Sequence, residues 1–122
     1  MKAVRTRREH LEPYRTKDGS LVRELMHPDV HAGARNQSLA EAVVEPGGRT
    51  LLHRHARSEE LYHVLAGRGV MRLGEEILDI APGDTLLIPP GTPHGLENPG
   101  PDALVVLCCC APPYAHEDTE PA

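Results

Sequence analysis

From residue 39 onward the chain never sustains an apolar run for long before a glycine or proline turn stops it. SLAEAVVEPGG, RTLLHRH, EELYHVLAGRG, VMRLGEEILDIAPGD, TLLIPPGTPH and ALVVLCCCAPP follow one another. Segments of this length hold a strand, and no helical period persists across them. Short strands at such spacing predict an all-β chain folded as an antiparallel sandwich or small barrel. LGEEI reads as a hairpin in which Gly74 supplies the permissive backbone. With no Phe or Trp and only three Tyr, the interior has to be built from Leu, Val, Ile and Ala, which favours sheet over helix. A chain of 122 residues without repeats fits one domain.

Residues 1–37 are more polar and read as an N-terminal arm, with SLVRELMHP as a first strand or, alternatively, a short helix. After Pro112 and Pro113 the acidic tail YAHEDTEPA either packs back on the domain or frays. The net charge of -5 and the lack of any basic run beyond Arg5–Thr6–Arg7–Arg8 argue against a nucleic-acid partner. That stretch reads as part of a solvated arm. The charged N-terminus is no secretory signal, and no apolar run approaches membrane-spanning length, so a cytoplasmic location without membrane contact is expected. Cys108, Cys109 and Cys110 are consecutive, a poor disulfide framework because neighbours on a strand point to opposite faces. Reduced thiols follow.

HRHARSEELYHVLAG, residues 53–67, concentrates the chemistry. Side chains two apart on a strand share a face, so His53 and His55 point one way and Arg54 the other. After a turn through ARSE, a strand beginning at Glu60 places Tyr62 and Val64 on the face of that carboxylate, and a hairpin can bring Glu60 beside the two imidazoles. Strand alternation turns Glu59 and His63 outward. Taken alone, His-x-His is also the pattern of a wet polar strand. The second half of the chain adds His94, presented by the turn residues of PGDTLLIPPGTPH and able to reach back into a barrel.

Two spacings in this region resemble the paired motifs of the cupin superfamily. Gly47, His53, His55, Glu60 and Gly67 match the first, and Gly83, Pro89, Gly91, His94 and Asn98 match the second. The resemblance implies a small double-stranded β-helix, a jelly-roll type barrel of two antiparallel sheets, over residues 38–111. Residues 1–37 and 112–122 are then arm and tail, and the protein is a homodimer. It also implies that His53, His55, Glu60 and His94 hold one divalent transition metal: zinc, iron, manganese, nickel, copper or cobalt. Three neutral imidazoles and one carboxylate leave such an ion a residual positive charge and, in octahedral geometry, two open positions.

Tyr62 and Met71 are then expected on the interior face. There the Tyr62 hydroxyl serves as a catalytic group that orients a substrate or donates a proton, or else simply fills the barrel. Cys108 and Cys110 share a face, as small buried side chains or as thiols near the metal. His116 and Asp118 can close over the barrel mouth, reach a partner subunit or fray with the tail.

KDGSLVREL, NQSLAEA and CCCAPPYAHEDT are similar to the zinc-binding cupin domain of bacterial hydrazine synthetases, which joins two amino acids through an N–N bond. The expected function is therefore that of a metal-dependent small-molecule enzyme using Lewis-acid or oxygen-activating chemistry, as in a dioxygenase or an isomerase. The alternatives are a hydrazine-synthetase type zinc cupin that rearranges an aminoacyl ester, and a non-catalytic module that binds a small ligand. A purely structural metal is the remaining reading.

Overall fold

The computed structural model describes residues 1–122. Eleven strands follow in order: β1 Tyr14–Arg15, β2 Leu21–Met26, β3 Ser38–Val44, β4 His53–His55, β5 Glu59–Ala66, β6 Gly69–Leu73, β7 Glu76–Ile80, β8 Thr85–Ile88, β9 His94–Glu97, β10 Leu104–Ala111 and β11 Thr119–Pro121. They form a six-stranded sheet ordered β1-β2-β3-β10-β5-β8 and a five-stranded sheet ordered β11-β4-β9-β6-β7. Every pairing is antiparallel. The chain is therefore an all-β barrel of the jelly-roll, double-stranded β-helix type. It contains no helix long and apolar enough to cross a membrane.

From β3 to β11 the chain passes repeatedly from one sheet to the other, and the hairpin β6–β7 is the exception. Gly74, at φ +61°, makes its turn. This winding corrects one expectation. β4 and β5 are not a hairpin: β4 pairs with β9 and β11, whereas β5 pairs with β10 and β8. The short ARSE connection carries the chain across the barrel, so Glu60 faces His53 and His55 from the opposite sheet.

Strand alternation fills the interior. On β5, Glu60, Tyr62 and Val64 are buried while Glu59 and Leu61 are exposed. Ile88, Leu104 and Val106 pack beside them in the same sheet and Met71, Ile80 and Leu96 face them from the other, branched or flexible side chains that close the barrel without aromatic bulk. At one end the inward row is deliberately small. Ser38, Ala40 and Ala42 on β3 lie beside Cys110, Cys108 and Val106 on β10, and a cavity opens over them.

The arm and tail are built into both sheets. SLVRELMHP forms β2, paired with β3, and takes no helical turn. Arg8 does not float in solvent: its guanidinium makes two bonds, 2.7 and 2.8 Å, to the buried carboxylate of Glu41. The tail packs back as β11, where Thr119 stands opposite His55 and Pro121 opposite His53. The Asp118 carboxylate accepts from the amides of Arg57 and Ser58 at 2.9 and 3.0 Å, which ties the tail to the β4–β5 crossing.

Gly67 ends β5 at φ +76°, and a Cβ there would lie 2.2 Å from the Ala103 carbonyl oxygen. Gly83 has φ +95° with nothing within 4 Å of the same position. Gly83→Ala should therefore cost about 1 kcal/mol, the strain of a left-handed L-residue, whereas Gly67→Ala should cost about 3 kcal/mol or more. Urea unfolding of the two variants checks this ranking, and equal midpoints contradict it.

Candidate metal centre

His53 and His55 enter the cavity from β4, and His94, at the start of β9, is buried beside them as the direct cross-strand partner of His53. All three are buried, and one ring nitrogen from each lies within 4.8 Å of the others. This cluster can hold a metal ion.

The outward nitrogens decide what the inward ones offer. His53 Nδ1 lies 2.8 Å from the carbonyl oxygen of Leu51, and His94 Nδ1 lies 2.9 Å from that of Thr92. His55 Nδ1 is 2.9 Å from Thr119 Oγ1, whose own hydrogen goes to the Ala115 carbonyl. A carbonyl oxygen only accepts, and this hydroxyl has spent its hydrogen. Each Nδ1 is therefore the protonated nitrogen and each Nε2 presents a lone pair.

Those lone pairs face carboxylate oxygens. His55 Nε2 and His94 Nε2 are 3.1 and 3.5 Å from Glu60 Oε1, and His53 Nε2 is 3.5 Å from Asp18 Oδ2. Glu60 Oε1 and His94 Nε2 are buried with no hydrogen-bond partner. Acceptor thus meets acceptor in a dry site, an arrangement that a cation resolves. Two donors each about 2.1 Å from a common ion, at right to tetrahedral angles, stand about 3.0–3.4 Å apart, close to the 3.1 and 3.5 Å seen at Glu60.

Burial, and then the neighbouring His94, lower the His53 pKa and favour the neutral ligand form. Burial alone would raise the Glu60 carboxyl; a donated proton or positive charge on the inward side of His55 and His94 outweighs that and holds it low, at about 2, and with the lone pairs turned inward a bound cation would supply that charge. Burial, then Glu60, push the Tyr62 hydroxyl and the Cys108 thiol well above their ordinary values, and Cys110 rises for the same reasons. The two inward thiols stay protonated. Cys110 donates to Glu60 Oε2 over 3.3 Å and helps aim the carboxylate, while Cys109 points away toward Gln37.

The residues expected inside are inside. Tyr62 lines the cavity, its ring edge-on to His94 at 5.8 Å, and its hydroxyl makes no bond to the protein. Met71 is fully buried in the core beneath. His63 points outward and bonds Thr85. His116 and Asp118 do not line the cavity; Tyr114 and Thr119 do so instead. Asp18, Thr119, Tyr114 and Glu24 went unrecognised in the sequence. KDGS signals a turn, and Asp18 Oδ1 does accept from the Ser20 amide within it, but nothing local shows where Oδ2 points.

The family model described as Cupin domain matches residues 40–110. This chain belongs to the cupin family. An uncharacterized protein of Methanocaldococcus jannaschii is 53% identical over 120 residues, covering 98% of this chain and 95% of its own. The polyketide synthase CurC of Streptomyces cyaneus is 31% identical over 92% of this chain and 75% of its own. Among solved structures, the polyketide cyclase RemF of Streptomyces resistomycificus superposes with a TM-score of 0.78 at 25% identity, over 91% of this chain and 80% of that one. In this cupin Asp18 and Thr119 lie outside the matched residues.

Thr119→Val removes the acceptor that orients His55 and fixes its tautomer. It should weaken zinc binding about ten- to a hundredfold with the fold intact, as read by chelator competition alongside circular dichroism. Unchanged affinity contradicts the role given to the tail.

Proposed function

We propose that this cupin is a mononuclear divalent-metal enzyme acting on a small molecule by Lewis-acid and proton-transfer chemistry. Its ligands are His53, His55, Glu60 and His94, and Asp18 is an additional acceptor beside His53. The observation that carries this is the convergence of three imidazole lone pairs on two carboxylate oxygens in a buried site. Neutral imidazole with carboxylate suits zinc, iron, manganese, nickel, copper or cobalt.

A bound divalent ion supplies Lewis acidity to an oxygen of the substrate. The chain supplies the rest. Tyr62 Oη, held protonated beside Glu60 and free of protein partners, donates a proton to the reacting molecule. Val22, Ala42 and Leu96 give the cavity an apolar wall. The cavity has a volume of about 50 Å³ and opens to solvent at its mouth. The names of CurC and RemF support a polyoxygenated carbon skeleton as substrate, since cyclisation of such a molecule moves protons rather than electrons.

In this reading the protein works in the cytoplasm as a homodimer, without a nucleic-acid partner. Exposed Leu61, Leu65 and Leu87, the first and last opposite each other on the outer face of β5 and β8, support a subunit contact. One observation favours the second reading, a zinc cupin that forms an N–N bond from an aminoacyl ester. KDGSLVREL, NQSLAEA and CCCAPPYAHEDT together supply Asp18, Glu24, Ala40, Cys108, Tyr114 and Thr119 to the cavity.

Elemental analysis of untagged protein should find about one divalent metal per chain. His53→Ala and His94→Ala should each lose most of it, while His63→Ala keeps it and Glu60→Gln loses less than either, because an amide oxygen still coordinates. Equal metal in all four refutes the ligand set. Solvent deuterium exchange into β-keto acids and esters should depend on both the metal and Tyr62. Fully metallated protein that exchanges none of them overturns the proton-transfer reading, and product from an aminoacyl ester of a hydroxylated amine would instead support the N–N branch.

A further inference from the structure

Three side-chain atoms are buried without a hydrogen-bond partner: Glu60 Oε1, His94 Nε2 and Glu24 Oε2. The first two face each other at the metal centre. The third has no such explanation. Glu24 lies on β2, lines the same cavity, and has its other oxygen, Oε1, occupied by the Tyr14 hydroxyl at 2.8 Å. Burial, reinforced by Glu24 itself, keeps that hydroxyl protonated and donating. No group of the protein donates to Oε2, although a buried acceptor left unpaired destabilises the fold.

The sheet register relates Glu24 to the reacting end. Glu24 stands opposite Ala40, Ala40 opposite Cys108, and Cys108 opposite Tyr62. The neighbouring row runs from Ser38 through Cys110 to Glu60. Glu24 and Tyr62 thus stand in one inward row, which Leu86 continues beyond Tyr62, about 14 Å apart along the sheet at three strand spacings. Only the small side chains of Ala40 and Cys108 lie between them. A trough with acceptors at both ends and a low apolar floor fits an elongated molecule.

We propose that Glu24, braced by Tyr14, is the far anchor of the ligand cavity. It accepts a hydrogen bond from an ammonium or hydroxyl group of a small molecule whose opposite end binds beside Glu60 and the three histidines. This rests on the metal-enzyme reading and names the substrate class: a metal-binding oxygen at one end, an extended carbon body over Ala40 and Cys108, and a donor at the other end. The terminal torsion of a carboxylate is soft, so Oε2 can turn to meet the donor while Oε1 keeps Tyr14.

The test titrates zinc-loaded full-length protein calorimetrically with straight-chain carboxylates of increasing length, ending in ammonium, hydroxyl or methyl. At one length a donor-ended probe should bind about tenfold tighter than its methyl-ended counterpart. In Glu24→Gln, which keeps the volume and an acceptor for Tyr14, that preference should vanish for ammonium and shrink for hydroxyl. The arm that wins names the donor. The ligand-free variant should melt at the wild-type temperature or above, whereas a merely structural Glu24 would lower it. A preference that survives Glu24→Gln, or no preference at any length, overturns the anchor even when zinc is bound. Failure of the wild type to hold zinc speaks against the metal ligands instead. The same probes on the metal-free chain then still read the anchor, through a donor preference that Glu24→Gln abolishes or, if absent, refutes it.

Discussion

Three hydrogen bonds on the far side of three imidazole rings govern this molecule. Two run to carbonyl oxygens two residues back in the chain, at Leu51 and Thr92, and one runs to the hydroxyl of Thr119. Each fixes a ring's proton on the nitrogen that faces the barrel wall, so the other nitrogen must present electrons to the interior. Because Glu60 comes from the opposite sheet, buried like the rings it meets, lone pairs from both walls converge on one spot. A protein does not concentrate acceptors in this way for stability, since unmatched polar atoms in a dry site weaken a fold. The cost is local, and it is offset by the apolar packing of Met71, Ile88, Leu104 and Val106 deeper in the barrel.

The winding of the chain between sheets makes this convergence possible. A hairpin would have put the imidazoles and Glu60 side by side on one surface, open to solvent. Crossing the barrel at ARSE instead places them on facing walls, and β9 returns to the first wall with His94. The arm and tail then complete the enclosure. Asp18 arrives from the turn before β2 and Thr119 from β11, each beyond the stretch that the family model matches. What is generic to the barrel and what is particular to this chain therefore meet at the same three rings.

Much of this was legible in the sequence for a simple reason: strand periodicity says which residues share a face. It separates Glu60 from Glu59, and Tyr62 from His63, and it groups Cys108 with Cys110, all as found. It does not say which strand lies alongside or which sheet a strand joins, and the hairpin expected for β4 and β5 failed on that point. The bond from His55 to Thr119 spans 64 residues, a distance over which no local pattern carries information. Asp18 shows the limit within a single side chain. One oxygen serves the turn that KDGS announces, and the other serves a histidine that only the folded barrel brings near.

The pairing of β11 with β4 places two of the three imidazoles on a strand of three residues whose outer neighbour is the short segment 119–121. Peeling residues 119–121 away would leave an unzipped margin and free one ring to rotate, with the core still packed beneath. Loosening of that one pairing would thus reach the histidine cluster through its seam while the scaffold stayed upright.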